Sequence, residues 1–372
     1  MKQNNNDSSF FELLRAGLWE REVRLSPFKD IDFSEVYRLA EEQSVIGLVA
    51  AGLEHVSDVK VPQEWALLFA SQTLQLEQRN KAMNAFVAKL IKRLREEDVY
   101  TLLVKGQGIA QCYERPLWRA CGDVDLFLDK KNYRKAQILL SSIACDIKEE
   151  ISINLHQAMT IDGWCVELHG TLRSLLGQRI DHEIDEIQMD VFNNGNVRVW
   201  NNEGVDIVLP DADNDAIFVF THILRHYFGG GIGMRQICDW CRLLYTYRES
   251  LNRRLLESRL RKMSLLPHWK AFAALAVDTL GMPVEAMPLY HDDKRWHKKG
   301  IRILSLIMES GNFGHGRDVS YKEKYPKLIE YLISFGVYTR YCLLQFRIFP
   351  FDAIKGWMRI ITKGMRSKMK KR

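Results

Sequence analysis

The chain has 372 residues, 47% hydrophobic and 27% charged, a balance that fits a globular protein and excludes a fibrous or extensively disordered one. Its formal charge of +6 is concentrated at one end: the run from Lys355 to Arg372 holds eight basic residues and no acid. The body before that run is therefore slightly acidic and offers no broad basic face to nucleic acid.

The seven cysteines are odd in number and scattered, as expected of reduced thiols. No secretory leader is evident at the N-terminus, and no apolar run reaches the roughly 18 residues of a spanning helix. Together these features predict a cytoplasmic protein.

In chain order, residues 1–98 read as helical, most clearly in "FSEVYRLAEEQSVIGLVAAGL" (33–53) and "KAMNAFVAKLIKRLREEDV" (81–99). In the second segment Met83, Phe86, Leu90 and Leu94 form one stripe at spacings of three and four. The texture then changes. "VYTLLVKG" (99–106) is a short β-branched run ending in glycine, the pattern of a buried strand, and a short helix is expected around "QGIAQCY". "DVDLFLD" (123–129) is the next predicted strand and "KNYRKAQILLSSI" (131–143) the next helix. Residues 150–162 and 163–170 predict a hairpin turning at Asp162-Gly163, a favoured turn pair. "VRVW" and "VDIVLP" predict short strands or an edge hairpin.

From "DADNDAIFVFTHILRHYF" onward the pattern is helical, and its acidic, Asn-containing start suits a helix N-terminus. The expected fold class is α+β and mainly helical overall. A small mixed β-sheet core over 99–210 is flanked by helical regions over 1–98 and 211–354, with a basic tail at 355–372.

The chemistry centres on Asp123 and Asp125. Alternate residues of a strand share a face, so both carboxylates point the same way. Two such carboxylates in a partly buried site repel and call for a cation or a shared proton. A D-x-D by itself also fits a solvated strand start. Glu167 adds to it, because in "CVELHG" it lies between Val166 and Leu168, which should face a core. If this strand neighbours 123–129, three carboxylates converge, the arrangement that holds two Mg²⁺ ions for phosphoryl or nucleotidyl transfer. His169 projects to the same face, either as a hydrogen-bonded strand-end histidine or as a substrate or base residue. Lys105-Gly106, with Gly108 close behind, closes a strand where backbone N–H groups can approach a phosphate, although the Walker order is absent. Lys105, Arg119 and Arg115 can each pair with a triphosphate or serve as ion-pair residues.

The succession "LLVKG", "YERPLWRACGDVDLFL" and "VELH" resembles the polymerase-β-type nucleotidyltransferase superfamily, and within it a bacterial branch of uncharacterised nucleotidyltransferases. "YRLAEEQSVIGLVAAGL" and "FVFTHILRHYF…MRQICDWCRLL" resemble helices before and after that branch's catalytic unit, so the likeness runs from about residue 35 to 245. It implies a transfer of NMP from an NTP to an unknown hydroxyl-type acceptor, with Mg²⁺ or Mn²⁺ as cofactor. Asp123, Asp125 and Glu167 would be the metal carboxylates, Glu167 acting also on the attacking hydroxyl, with Gly106 at the glycine turn. Gly106-Gln107 replaces the branch's usual Gly-Ser or Gly-Gly, which removes a phosphate-binding serine. A non-catalytic binding or assembly module is the alternative reading.

Other features have plainer readings. His222 and His226 share a helix face but lack the glutamate of H-E-x-x-H, so packing is expected, with a substrate-facing role as the alternative. Cys238 and Cys241 form a lone C-x-x-C in a helical segment and are expected to be buried. "FGGGIGM" follows a helix and reads as a helix-terminating loop. The tail from 355 to 372 either lies on an anionic membrane surface, grips an acidic partner, or is a frayed solubilising end.

Overall fold

A computed structural model describes residues 5–229, 231–312 and 325–358. The chain opens with four helices: α1 (Asn5–Trp19), α2 (Phe33–Glu42), α3 (Ile46–Glu54) and α4 (Gln63–Glu96). Asp32 caps α2 by accepting from the backbone N–H of Ser34 and Glu35, and the chain breaks between α2 and α3 inside the segment expected to be one helix. The stripe at Met83, Phe86, Leu90 and Leu94 belongs to a helix longer than expected, whose buried face runs from Phe69 to Leu94.

The central unit follows as β1 (Leu102–Val104), α5 (Gly106–Ala110), β2 (Asp123–Phe127), α6 (Lys130–Ser141), β3 (Asp146–Ile147), β4 (His156–Ile161) and β5 (Trp164–His169). The strands form one sheet in the order β1-β2-β5-β4-β3. β2 and β5 are parallel and the other pairs antiparallel, so the sheet is mixed, as expected. Asp162 and Gly163 both take positive φ (49° and 81°), the tight hairpin turn that this pair favours. Next come α7 (Gln178–Asn194), whose buried Ile180, Ile184, Ile187 and Val191 had gone unread in the sequence, and the hairpin β6 (Val197–Asn202) and β7 (Val205–Pro210). That hairpin forms a separate two-stranded sheet.

The helices that follow include α8 (Ala212–Gly229), α9 (Met234–Thr246), α10 (Arg253–Lys262), α11 (Leu266–Leu280), α12 (Lys294–Ser310) and α13 (Lys327–Phe346). Asp211 caps α8 through the Asn214 N–H at 2.8 Å. The glycine-rich stretch after Phe228 does end that helix, and Cys238 and Cys241 are buried free thiols in α9.

The five-stranded sheet lies between two apolar layers. On one face Leu103, Val124, Leu126, Val166 and Leu168 pack with Phe86 and Leu90 of α4 and Tyr133 and Leu140 of α6. On the other, Leu102, Val104 and Phe127 join the larger helical core, where Phe127 meets Phe192 and Phe218 at ring-centroid distances of 4.9 and 5.7 Å. Helices from before and after the sheet share that core. Arg15 and Trp19 of α1, for instance, donate to the Thr279 and Leu280 carbonyls at the end of α11. Asp123 and Asp125 lie on the Phe127 face, towards the start of β2.

Among the described residues no helix is long and apolar enough to cross a membrane. The expected basic tail lies outside the described residues beyond Met358.

Candidate active site

Parallel pairing sets the site. The register of β2 on β5 places Asp125 beside Glu167 and Asp123 beside Cys165, so the carboxylates of two strands share one face. Asp123, Asp125 and Glu167 offer oxygens that lie within 4.8 Å of one another. They line a cleft of about 160 Å³ together with Lys105, Gly106 and Arg119, and with His222, His226, Arg235 and Asp239 from α8 and α9. Typical small-molecule pockets hold about 300–1,000 Å³, so the enclosed part suits metal ions and small anionic groups more than a whole drug-sized ligand.

The charges in the cleft are unevenly held. Asp125 is 2% exposed, and its Oδ1 accepts from His169 Nε2 at 2.7 Å and lies 2.6 Å from the Lys105 ammonium. Burial pushes the Asp125 carboxyl up, but Lys105 and the His169 hydrogen bond reverse this and hold it far below the usual carboxylate range. Asp123 moves the other way: the neighbouring Asp125 charge, then burial, push it up. His156 Nε2 contacts Glu167 Oε2 at 3.1 Å, and that hydrogen bond holds Glu167 below its ordinary value against the cost of burial. Burial lowers His169, so its ring is neutral near pH 7 and the Asp125 contact requires the proton on Nε2.

Lys105 reaches the carboxylates because the chain bends sharply after β1. Its own φ is +58°, a conformation uncommon for a side-chain-bearing residue, and Gly106 follows at +38°. A Cβ on Gly106 would come within 3.3 Å of Cys121 Sγ. Gln107 turns away from the carboxylates, and its amide donates to Asn80 Oδ1 of α4 at 2.9 Å.

The other basic residues divide. Arg119 lines the cleft, but its guanidinium forks onto Asp239 at 2.7 and 2.8 Å, and Tyr113 donates to the same carboxylate. Arg115 pairs with Glu20 and Glu54 and is not among the cleft residues. Arg235, which the sequence did not single out, is a cleft residue whose guanidinium, among the described residues, donates only to the Ala120 carbonyl and forms no ion pair. Burial lowers its pKa, the mark of a guanidinium short of compensating charge. His222 and His226 face the same cleft with rings 4.4 Å apart, and burial pushes His226 down to about 4. The helix face they share was legible in the sequence; which way it points was not.

The donor set fits a hard divalent cation. Three carboxylates and one ammonium leave the cluster at −2 when all the acids are ionised, and oxygen ligands on two rigid strands match the preferences of Mg²⁺ or Mn²⁺.

Residues 29–281, well over half of the chain, match the sequence profile of a family described as "uncharacterised nucleotidyltransferase". No curated protein and no solved structure matches the chain.

Proposed function

This chain belongs to the uncharacterised nucleotidyltransferase family, and from that premise we propose that it transfers NMP from an NTP to a hydroxyl-type acceptor and releases pyrophosphate. The observation that carries the proposal is the convergence of Asp123, Asp125 and Glu167 from two parallel-paired strands onto one cleft. Held by these three, Mg²⁺ or Mn²⁺ would lower the pKa of the attacking hydroxyl and neutralise charge on the leaving pyrophosphate.

The chain's own residues do the rest. Asp125, its carboxyl held low by Lys105 and the His169 hydrogen bond, anchors the cluster. The acceptor oxygen bonds to the α-phosphorus as the α–β phosphoanhydride bond breaks, with Glu167 taking the acceptor's proton. With Gln107 turned to α4 and Arg119 committed to Asp239, Arg235 is the guanidinium left to hold the triphosphate, and Lys105 adds a positive charge beside it.

One observation favours a non-catalytic binding module instead: Gln107, standing where the family's phosphate-binding serine is expected, donates to Asn80 and not towards the carboxylates. Incubation with Mg²⁺ and NTPs labelled on the α-phosphate, scored for pyrophosphate and for labelled product, separates the two. Sustained metal-dependent turnover excludes the module. If the Asp123→Ala/Asp125→Ala double variant binds metal and NTP as wild type does, the site assignment fails. We also propose that the basic run from Lys355 brings the enzyme to an anionic membrane or acidic partner. Unchanged liposome sedimentation after removing that run would exclude the membrane.

A further inference from the structure

The carboxylates are only one face of the cluster. His156 stands opposite His169 in the β4–β5 register, one strand further from β2. Their rings lie 4.8 Å apart, and both Nε2 atoms converge on one oxygen: Glu167 Oε2 is 3.1 Å from His156 Nε2 and 3.6 Å from His169 Nε2. Donor atoms around a tetrahedral Zn²⁺ sit about 3.3 Å apart, as bonds of about 2.0–2.1 Å at that angle require. The two contacts bracket that spacing. The three ligand atoms all fall within 4.8 Å of one another, the same limit met by the three carboxylates.

We propose that His156, Glu167 and His169 form a second metal position, selective for an imidazole-seeking divalent transition metal such as Zn²⁺, and joined to the Asp123/Asp125 position through the shared Glu167 carboxylate. The inference rests on this geometry and not on the transferase reading. Two imidazole nitrogens and a carboxylate suit Zn²⁺, whereas Mg²⁺ demands oxygen and keeps its waters. Taking a metal on Nε2 places the His169 proton on Nδ1 and releases the Asp125 hydrogen bond. Access comes from the His156 side, where the His156 and Glu167 side chains keep 23% and 26% of their exposure. The consequence is a mixed pair: an oxygen-ligated ion at the aspartates beside a nitrogen-ligated one.

The test uses the full chain stripped with EDTA and titrated with Co²⁺ in millimolar Mg²⁺, which occupies the oxygen site without competing for imidazole. Wild type is expected to bind one Co²⁺ with the intense visible absorption of a four- or five-coordinate site. His156→Gln should weaken that binding at least about 100-fold, while Asp123→Asn keeps it. Should His156→Gln fail to fold, NMR of the wild-type histidine ring nitrogens with Zn²⁺ decides, because two Nε2 resonances must shift. Failure of wild type to bind Co²⁺ under Mg²⁺, unchanged binding by a folded His156→Gln, or unmoved ring nitrogens overturns the proposal. A plain hydrogen-bonding role for the two histidines predicts those null results. Absence of nucleotidyl transfer with Co²⁺ binding intact would sink the transferase reading and leave this one standing.

Discussion

Lys105→Met isolates the electrostatics of the site. The substitution keeps the aliphatic stem and removes the ammonium that sits 2.6 Å from Asp125 and also acts on Asp123 and Glu167. Breaking one side of a buried pair costs about 3–5 kcal/mol, and the 20% exposure of the Lys105 side chain argues for the low end, about 3 kcal/mol. An unfolding entropy of about 2.1 cal/mol/K per residue gives about 0.8 kcal/mol/K for 372 residues, so Tm should fall by about 4 °C. The loss should appear only when metal is absent. A divalent cation at about 100 times its Kd returns about 2.7 kcal/mol, which restores nearly all of it. Wild type should gain less, because there the metal competes with the ammonium for Asp125. Scanning calorimetry in EDTA, followed by a Mn²⁺ titration of both proteins, measures each quantity. Equal Tm values in EDTA, or equal gains with Mn²⁺, would refute the picture of Lys105 as the cluster's internal counter-ion.

Three further expectations follow from named contacts. Arg235→Ala should weaken NTP binding by about 10- to 100-fold, the worth of one charge-assisted hydrogen-bonding group at about 1.5–3 kcal/mol, with Arg235→Lys intermediate; calorimetry with Mg²⁺ and ATP reads it directly. His226, held down to about 4 by burial, is neutral in both the folded and unfolded chain above pH 6.5. Below that the unfolded chain takes up the proton first, so stability should decline by about 2.5 kcal/mol as pH falls from about 6.5 to 4. His226→Gln should flatten that portion of a denaturant-midpoint profile recorded in EDTA. Where α1 crosses α3, a Cβ on Gly52 would stand 2.0 Å from the Leu13 carbonyl oxygen, so Gly52→Ala must push the helices apart. It should cost about 3 kcal/mol or more in urea melts, while Gly163→Ala, with nothing within 4 Å, should show only the smaller cost of its positive φ.

What could be read in the chain was whatever a short window encodes. The two-residue period of a strand put Asp123 with Asp125 and Glu167 with His169, whichever fold they joined. The Asp162-Gly163 turn fixed the register of its hairpin, and so held a signal that went unused: a two-residue loop there sets His156 opposite His169. The isoleucines of α7 carried a similar unread stripe. Three things were beyond any window. The parallel pairing of β2 with β5, which makes three carboxylates one site, depends on a crossover 42 positions long, from Asp125 to Glu167. The fate of each basic residue depended on which acid came within reach: Arg119 found Asp239, 120 positions away, whereas Arg235 found none among the described residues. Gln107 was visible as a departure from the family turn, but only packing against Asn80 removed its side chain from the cleft. Local stereochemistry sets which way a side chain points from its own strand or helix. What it meets there is settled by long-range burial, because taking a charge out of water costs free energy that only groups brought in by the assembled fold can offset.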